Sequence, residues 1–560
     1  MASQDVEMKN NVIIWILKKN RRWLPGLILL TLSQVGNAVF GVMFALGSRA
    51  VIDAAVDGQP GAFFRACIFQ CSIILGLQVC LFLIRHLRER LKADMDRDWK
   101  QQILHGLLHG TYSEVSSYHS AELLNRLNND VAKVTDSIIS IVPSAAAMVT
   151  RLTAALAVLG ILDLKFTVLM CCLGVVVIGS TGLMRRKLKN LNKRVSEQDG
   201  IVSGFLQELM EKLLMVQAMD VSDEAERRSN RLLEERYQTQ RRRKNVSLFG
   251  NTCISFLYYS AGYFALGWSG WRLLQGQISF GSLTAVIQLV NQIQTPFVDL
   301  SGLLPKYLDL LASGERIREL FRIQAEPVDL PENLDEVYSS MDAIGAKNIT
   351  FSYDRDFVLE EASFELPKGV FAVVTGPSGT GKSTLLKLLL GIFPLEQGEL
   401  YLSYENDRKL NLDRRTRKLF AYVPQGSLLL SGTIRENLTI VAPDATEEQI
   451  QQAVYVSCMD SYLPDLTHGL DTQLGESGAG LSEGQTQRLA IARAVLGGAP
   501  ILLLDECTSA LDEQTEQLVL QRLHELPNRT CIAVTHRPAA VSLCDYCLEL
   551  EGKKLKVIKM

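Results

Sequence analysis

The chain has 560 residues, 58 Lys and Arg against 61 Asp and Glu, a net charge of −3 and 47 % hydrophobic residues. That balance lacks the basic footprint of a dedicated nucleic-acid binder, and eleven Cys without a fixed period argue against a secreted disulfide framework. The length suits roughly two to four domains, and the mean composition hides two unlike halves.

The first half is a succession of apolar runs. They cover about 23–46, 63–84, 138–161, 166–184, 248–271 and 280–304, each near the ~20 residues that cross the hydrocarbon core of a bilayer. So many long runs exceed what a soluble helical bundle would bury. The expectation is a six-helix membrane domain over 23–320, preceded by a cytoplasmic segment, 1–22. The first run lacks a small-residue cleavage site after a short apolar core, which separates it from a signal peptide.

Lys and Arg set the orientation. Lys18, Lys19, Arg21 and Arg22 precede the first run, and Arg85, Arg88, Arg90, Lys92, Arg97 and Lys100 follow the second. Arg185, Arg186, Lys187 and Lys189 follow the fourth, and the run Arg241–Lys244 precedes the fifth. The alternate loops hold only Arg49, Lys165 and Arg272. Both termini and both long intervening segments are therefore expected in the cytoplasm of a multi-pass cell-membrane protein. In those segments apolar residues such as Leu206, Leu209, Leu213 and Val216 recur at helical spacing among charges. Helices two to five should run beyond the membrane and turn near 118–120 and 219–223, making two contact points for a cytoplasmic partner.

Within the sixth run, Thr284, Gln288, Asn291 and Thr295 fall at i, i+4, i+7 and i+11, one face of a helix. Amides facing lipid are expensive, so this face is expected to line a polar cavity rather than only to bond neighbouring helices. Arg151, inside the third run, is a candidate for the same cavity.

Composition changes after Leu320. Residues 321–340, with Pro327, Pro331 and several acids, read as a linker. From 341 to 560 short Val/Ile/Leu/Phe strands alternate with helical patterns, the mark of an α/β domain. The apolar strand Phe371–Thr375 leads into Gly376, Pro377, Ser378, Gly379, Thr380, Gly381, Lys382, Ser383 and Thr384, and then a helical stretch. This is GxxxxGK[ST] in the strand–loop–helix setting that gives it meaning. The glycines let backbone N–H groups cradle phosphates at a helix N-terminus. Lys382 would reach the β- and γ-phosphates of ATP, and Ser383 would offer its hydroxyl to Mg²⁺. A second apolar strand, Ile501–Leu504, ends in Asp505 and Glu506. Asp505 is placed to hold the metal and Glu506 to polarise the attacking water. The one close pair with ligand-like spacing, Cys544 and Cys547, lacks a second pair and reads as two small residues flanking a late strand.

On these motifs the chain resembles an ABC half-transporter, six membrane helices fused ahead of one ATPase domain, and the resemblance covers nearly its whole length. The resemblance implies further roles. Tyr353 would stack on adenine, Gln425 would touch Mg²⁺, and His536 would be the switch histidine that senses the γ-phosphate. Leu481–Gln485 matches the family signature, whose Ser482, Glu483, Gly484 and Gln485 would contact ATP held by the opposite subunit, and Asp512 lies in the D-loop. Gly475–Gly478 corresponds to the segment that meets the coupling helices, and Ala121–Asp130 to the region of the first one. A dimer is implied, since one chain cannot complete a site. Glu483 departs from the usual Gly while Glu506 and His536 are intact, a combination that favours a heterodimer over a homodimer. The function implied is ATP- and Mg²⁺-dependent export of an amphipathic small molecule, lipid or peptide through the bilayer, with no nucleic-acid partner. An importer on the same scaffold and an ATP-regulated channel or sensor subunit are the alternatives.

Overall fold

The computed structural model describes residues 12–326, 334–353, 356–405, 408–426, 429–475 and 480–560. Its contacts divide the chain into two units: residues up to Leu104 with Ser120–Arg322, and His105–His119 with Ile323–Met560.

The first unit is built on six long helices, α1 (Leu24–Val56), α2 (Pro60–His109), α3 (Val131–Leu162), α4 (Leu164–Glu211), α5 (Ser222–Leu274) and α6 (Phe280–Leu320). Each contains one of the apolar runs. By length and composition, Arg21–Val56, Pro60–His109 and Ser120–Leu162 are long and apolar enough to cross a membrane. Val42 and Ala45 of α1, Ala155 and Leu159 of α3, and Val286, Leu289, Val290 and Ile293 of α6 form one buried core. Phe166 and Met170 of α4 and Ala265 of α5 close it. The turn between α3 and α4 is capped by Asp163, whose carboxylate accepts from Phe166 N at 3.1 Å and Trp268 Nε1 at 3.0 Å. Between α4 and α5 the short helix Leu213–Ala218 leads into a turn where Asp220 takes a left-handed φ of 56°.

At the start of α3 the helix carries a π turn, Arg126–Asp130, a deviation that recurs at functional positions. Arg126 and Asp130 are both buried, which is tolerable only with partners. Arg126 donates to Glu122 at 2.7 Å and to Glu319 at 2.8 Å, while Arg316 forks onto Asp130 at 2.6 and 2.7 Å. The pairs fasten the base of α3 to the last turns of α6.

Among the described residues the second unit carries two large sheets and a two-stranded one that pairs Gly432–Thr433 with Gln473–Leu474. A four-stranded antiparallel sheet has the order β2-β1-β4-β5, where β1 is Met341–Tyr353, β2 Asp356–Pro367, β4 Gln397–Tyr404 and β5 Arg408–Asn411. The six-stranded sheet has the order β10-β9-β3-β8-β7-β6, with β3 Phe371–Thr375, β6 Phe420–Val423, β7 Ile501–Asp505, β8 Thr530–Val534, β9 Tyr546–Glu551 and β10 Lys554–Lys559. All its neighbours run parallel except the edge strand β10. Strands β3, β7 and β8 are apolar and almost wholly buried, as a parallel sheet covered on both faces requires.

Within the stretch read as a linker, Glu326 N donates to His109 O and Thr111 N to Gln324 O, both at 3.0 Å. Arg414 and Arg417 close on the Glu326 carboxylate at 3.4 and 3.0 Å. The turn that follows α2 is thus held inside the second unit, and Leu334–Ser339 forms a short helix of its own.

Candidate functional site

The phosphate loop leaves the end of β3 and enters helix α7 (Lys382–Leu389). Its glycines are required sterically. Gly376 has φ 145°, and a Cβ there would lie 2.3 Å from Leu550 O. Gly381 has φ 101°, and a Cβ would meet Val358 Cγ1 at 2.3 Å. The Lys382 side chain is buried and its ammonium donates to Gly376 O at 2.8 Å and Pro377 O at 2.7 Å. A cation is thereby held by two carbonyls of its own loop, at the start of a helix, a charge placed to suit a polyphosphate. Thr380 Oγ1 donates to Pro377 O at 2.9 Å and tightens the loop, and Thr384 is buried in the first turn of α7. Ser378 and Gly379 stand exposed at the tip of the loop.

Strand β7 lies one strand away from β3, across β8, so its last residue comes level with the loop. Asp505 is 1 % exposed and accepts from Ser383 Oγ at 2.8 Å and Tyr422 OH at 3.1 Å. Burial and the neighbouring Asp505 carboxylate push the Tyr422 phenol above its ordinary range, so it remains a donor. Glu506 turns out of the strand with a left-handed φ of 48°, its N–H bonded to Val534 O at 3.0 Å. Its carboxylate accepts from Gln425 Nε2 at 2.6 Å. Strain of that kind at a strand end exposes a side chain where function needs it. A hydroxyl and a carboxylate beside a phosphate cradle fit Mg²⁺, which takes few protein ligands and completes its shell with phosphate and water oxygens. Among the described residues no cluster of three His, Cys, Asp or Glu forms an all-protein cage.

Tyr353, at the end of β1, is 42 % exposed and meets Phe351 edge-on at 4.9 Å and Phe393 at 5.5 Å. Tyr112, from the turn after α2, packs on the same Phe393 at 5.8 Å. His536 is exposed just beyond β8.

Helix α8 (Glu483–Leu496) opens with a capping box. Ser482 Oγ accepts from Gln485 N at 3.3 Å and Gln485 Oε1 accepts from Ser482 N at 2.8 Å. Glu483 is exposed at the first helical position. A Cβ on Gly484 would come within 2.9 Å of Ala510 O, so this glycine lets the helix approach the loop that carries Asp512. Asp512 caps α9 (Glu513–His524), accepting from Thr515 N at 3.0 Å and Thr515 Oγ1 at 2.7 Å. Residues 476–478 of the Gly475–Gly478 stretch lie outside the described residues.

Three contributors escaped sequence reasoning. Tyr422 supplies the second donor to Asp505, a contact signalled only by its place on the strand beside β7. Gln487 ties α8 to the following loop, donating to Ser509 Oγ and accepting from Ala510 N, both at 3.0 Å. Glu516, 1 % exposed, accepts from Thr508 at 2.8 Å and Arg537 at 3.3 Å, anchoring the residue next to His536.

In the first unit, the buried residues Val286, Leu289, Val290 and Ile293 take one side of α6. Thr284, Gln288, Asn291 and Thr295 lie about 180° around the helix from them at 100° per residue. Thr284 and Thr295 donate to their own helix at Phe280 O and Asn291 O. Tyr258 OH reaches exposed Asn291 only at 3.5 Å, and Gln288 Oε1 is buried without a partner among the described residues. Asp299, one turn beyond Thr295 and exposed, continues the polar stripe. Arg151 is separate: it shares the α3 stripe of Ala155 and Leu159, and its buried Nε has no partner among the described residues.

The family models of the ABC transporter transmembrane region and of the ABC transporter match residues 24–297 and 359–509. A probable ABC transporter ATP-binding/permease protein of Haemophilus influenzae is 32 % identical over 280 residues, 50 % of each chain. A mycobactin import ATP-binding/permease protein of Mycolicibacterium smegmatis is 33 % identical over 290 residues, and there too the chain spans only 50 % of the relative. An ATP-dependent lipid A-core flippase of Vibrio vulnificus is 24 % identical over 547 residues, 95 % of this chain and 91 % of that one. A solved bacterial Atm1-family ABC exporter with ATP bound has the same fold, with a TM-score of 0.79 at 22 % identity over 96 % of this chain and 95 % of that one. With a membrane region and an ATPase domain of one family fused in a single polypeptide, the chain belongs to the ABC transporters, membrane proteins that couple ATP hydrolysis to transport.

Proposed function

We propose that the chain is half of an ATP-driven exporter of an amphipathic small molecule, lipid or peptide, and that it works as a dimer. The observation that carries this reading is the joint placement of Lys382 and Ser383, at the start of α7, with Asp505 and Glu506, at the end of β7. Backbone N–H groups and Lys382 bind the phosphates, and Tyr353 offers its exposed ring to adenine. Glu506 accepts a proton from the attacking water, while Gln425 holds that carboxylate and His536 donates toward the γ-phosphate. Bound Mg²⁺, held by Ser383, Asp505 and Gln425, would neutralise developing phosphate charge. Ser482, Gly484, Gln485 and Asp512 meet the ATP of the partner chain. Thr284, Gln288, Asn291 and Thr295 line the substrate path, and Arg151, on the buried stripe of α3, does not share their face. The ATPase domain and both termini lie in the cytoplasm, as the Lys/Arg distribution favours.

Inside-out vesicles supplied with ATP should accumulate the substrate. Accumulation only in right-side-out vesicles loaded with ATP would overturn export in favour of import, the reading that the mycobactin-import relative supports. We further propose that the partner is a different half-transporter, because an acidic Glu483 stands at the helix start that would face the partner's ATP. The substitution E483G should raise ATPase activity of the purified chain alone by less than twofold if its own homodimer is not the working form. A rise of tenfold or more would establish the homodimer instead.

A further inference from the structure

Arg243, Lys244, Ser247 and Leu248 of α5, with Asn192 of α4, line a cavity of about 310 Å³ between the two helices. Its depth can be placed from the sequence. Leu248 lies about 34 Å along the helix axis from Trp271 at the far end of its apolar run, and Arg243 about 42 Å. A hydrocarbon core is about 30 Å thick and a bilayer with headgroups about 40–45 Å. With ordinary tilt, the cavity opens where acyl chains give way to phosphates. The two stretches of sequence that contribute these residues are cationic: 185–196 and 238–250 hold ten Lys and Arg and no Asp or Glu. Among the described residues none of Arg241, Arg242, Arg243 and Lys244 forms an ion pair, whereas Arg236, farther from the apolar run, pairs with Asp199. An orienting anchor needs only charge near the membrane. A concave site with an amide and a hydroxyl beside two cations, and an apolar residue at its rim, provides more.

We propose that this cavity binds the headgroup of an anionic phospholipid. The phosphodiester lies between the Arg243 guanidinium and the Lys244 ammonium. Asn192 and Ser247 donate to its remaining oxygens, and Leu248 borders the first acyl carbons. Surrounding cations repel the ammonium of a zwitterionic headgroup, which gives the site its selectivity. The cytoplasmic leaflet is the source of the lipid, and that assignment alone rests on the orientation proposed above.

The test uses the full chain in nanodiscs of phosphatidylcholine with graded phosphatidylglycerol, reading tightly retained lipids by native mass spectrometry. Nanodiscs present both leaflets, so a wrong orientation leaves the result unchanged. R243Q/K244Q should lower phosphatidylglycerol affinity about tenfold or more, at about fivefold per charge. R241Q/R242Q removes equal charge outside the cavity and should lower it at least about fivefold less, because neither residue touches the phosphodiester. N192L, which removes the amide donor without altering charge, should also lower that affinity. Unchanged ATPase in pure phosphatidylcholine reports that each variant is folded. Equal losses in the two charge pairs would mean diffuse attraction and overturn the site, as would full retention by R243Q/K244Q. Displacement by inorganic phosphate, beyond chloride of the same ionic strength, would assign the cavity to free anions and refute the headgroup.

Discussion

The substitution E506Q separates the chemistry of Glu506 from its place in the fold. Its N–H bond to Val534 O and its left-handed φ of 48° are backbone properties that the change leaves alone. The side chain keeps its length, and the amide carbonyl can still accept from Gln425 Nε2, which now sits 2.6 Å from the carboxylate. Only the negative charge and the basicity are lost. General-base assistance contributes about 10²- to 10⁴-fold, or about 2.7–5.5 kcal/mol of barrier. Phosphate release by the transporter should fall by that factor, while ATP affinity stays within about twofold because no cradle residue changes. ATP then persists, and the nucleotide-bound dimer should accumulate on size-exclusion chromatography. Turnover within about tenfold of the parent, with binding intact, would refute Glu506 as the base. A hundredfold loss of ATP affinity would equally refute the division of labour, since it would place Glu506 in the phosphate cradle.

Three further outcomes test other parts of the framework. K382A should weaken ATP binding by about tenfold to a hundredfold, the loss of one or two charge-assisted bonds, read by nucleotide titration; an unaltered affinity would remove Lys382 from the cradle. G484A forces a Cβ to within 2.9 Å of a backbone carbonyl, so it should cost about 1–3 kcal/mol in denaturant unfolding of the second unit, and a neutral result would refute the close approach of α8 to the Asp512 loop. For Asp130, burial favours the protonated form, but bonds from Arg316 and Ser313 and the charge of Lys133 outweigh it and hold the pKa below its ordinary 3.8. Its native form therefore releases the proton more readily than the unfolded chain. The stabilisation is complete above the ordinary value and disappears as pH falls through the lower native one. D130N should cost about 1–3 kcal/mol near neutrality, discounted because Arg316 is 40 % exposed. It should also flatten the acid limb of the melting-temperature profile, and parallel acid limbs would refute the assignment.

What could be read from the sequence was whatever is written in contiguous residues. The phosphate loop is announced by an apolar strand of five residues, three glycines and a helix, and the structure puts strand and helix at Phe371–Thr375 and Lys382–Leu389. The six apolar runs are local in the same sense, and each lies in one long helix. Contacts between distant residues leave no such trace. Tyr422 meets Asp505, Gln487 meets Ala510, and Gly110 bridges Ala325, each joining stretches whose own patterns give no hint of the other. The π turn at Arg126–Asp130 is hidden for a related reason. Its charges read as a solvated helix face until Glu319 and Arg316 arrive from α6.

The polar stripe of α6 and the signature end of α8 lead to one conclusion about assembly, although they belong to separate units. Helix α6 buries Val286, Leu289, Val290 and Ile293 in its own core, which leaves Gln288, Asn291 and Asp299 on the other side. An amide placed against hydrocarbon without a partner costs about 2 kcal/mol or more, and exposed Asn291 has only Tyr258 OH, at 3.5 Å. In the ATPase domain, exposed Ser482 starts a helix whose free N–H groups and dipole favour an anion, yet the residue beside it, Glu483, is itself an anion. A single chain answers neither problem. In the proposed dimer a second chain would answer both, by enclosing the α6 stripe in an aqueous path and by bringing a nucleotide to the signature. In the proposed heterodimer the sign of residue 483 would then set which nucleotide site works the harder. The site that receives Glu483 would carry the electrostatic cost, and the site built on Lys382 and Glu506 would depend on the signature of the partner.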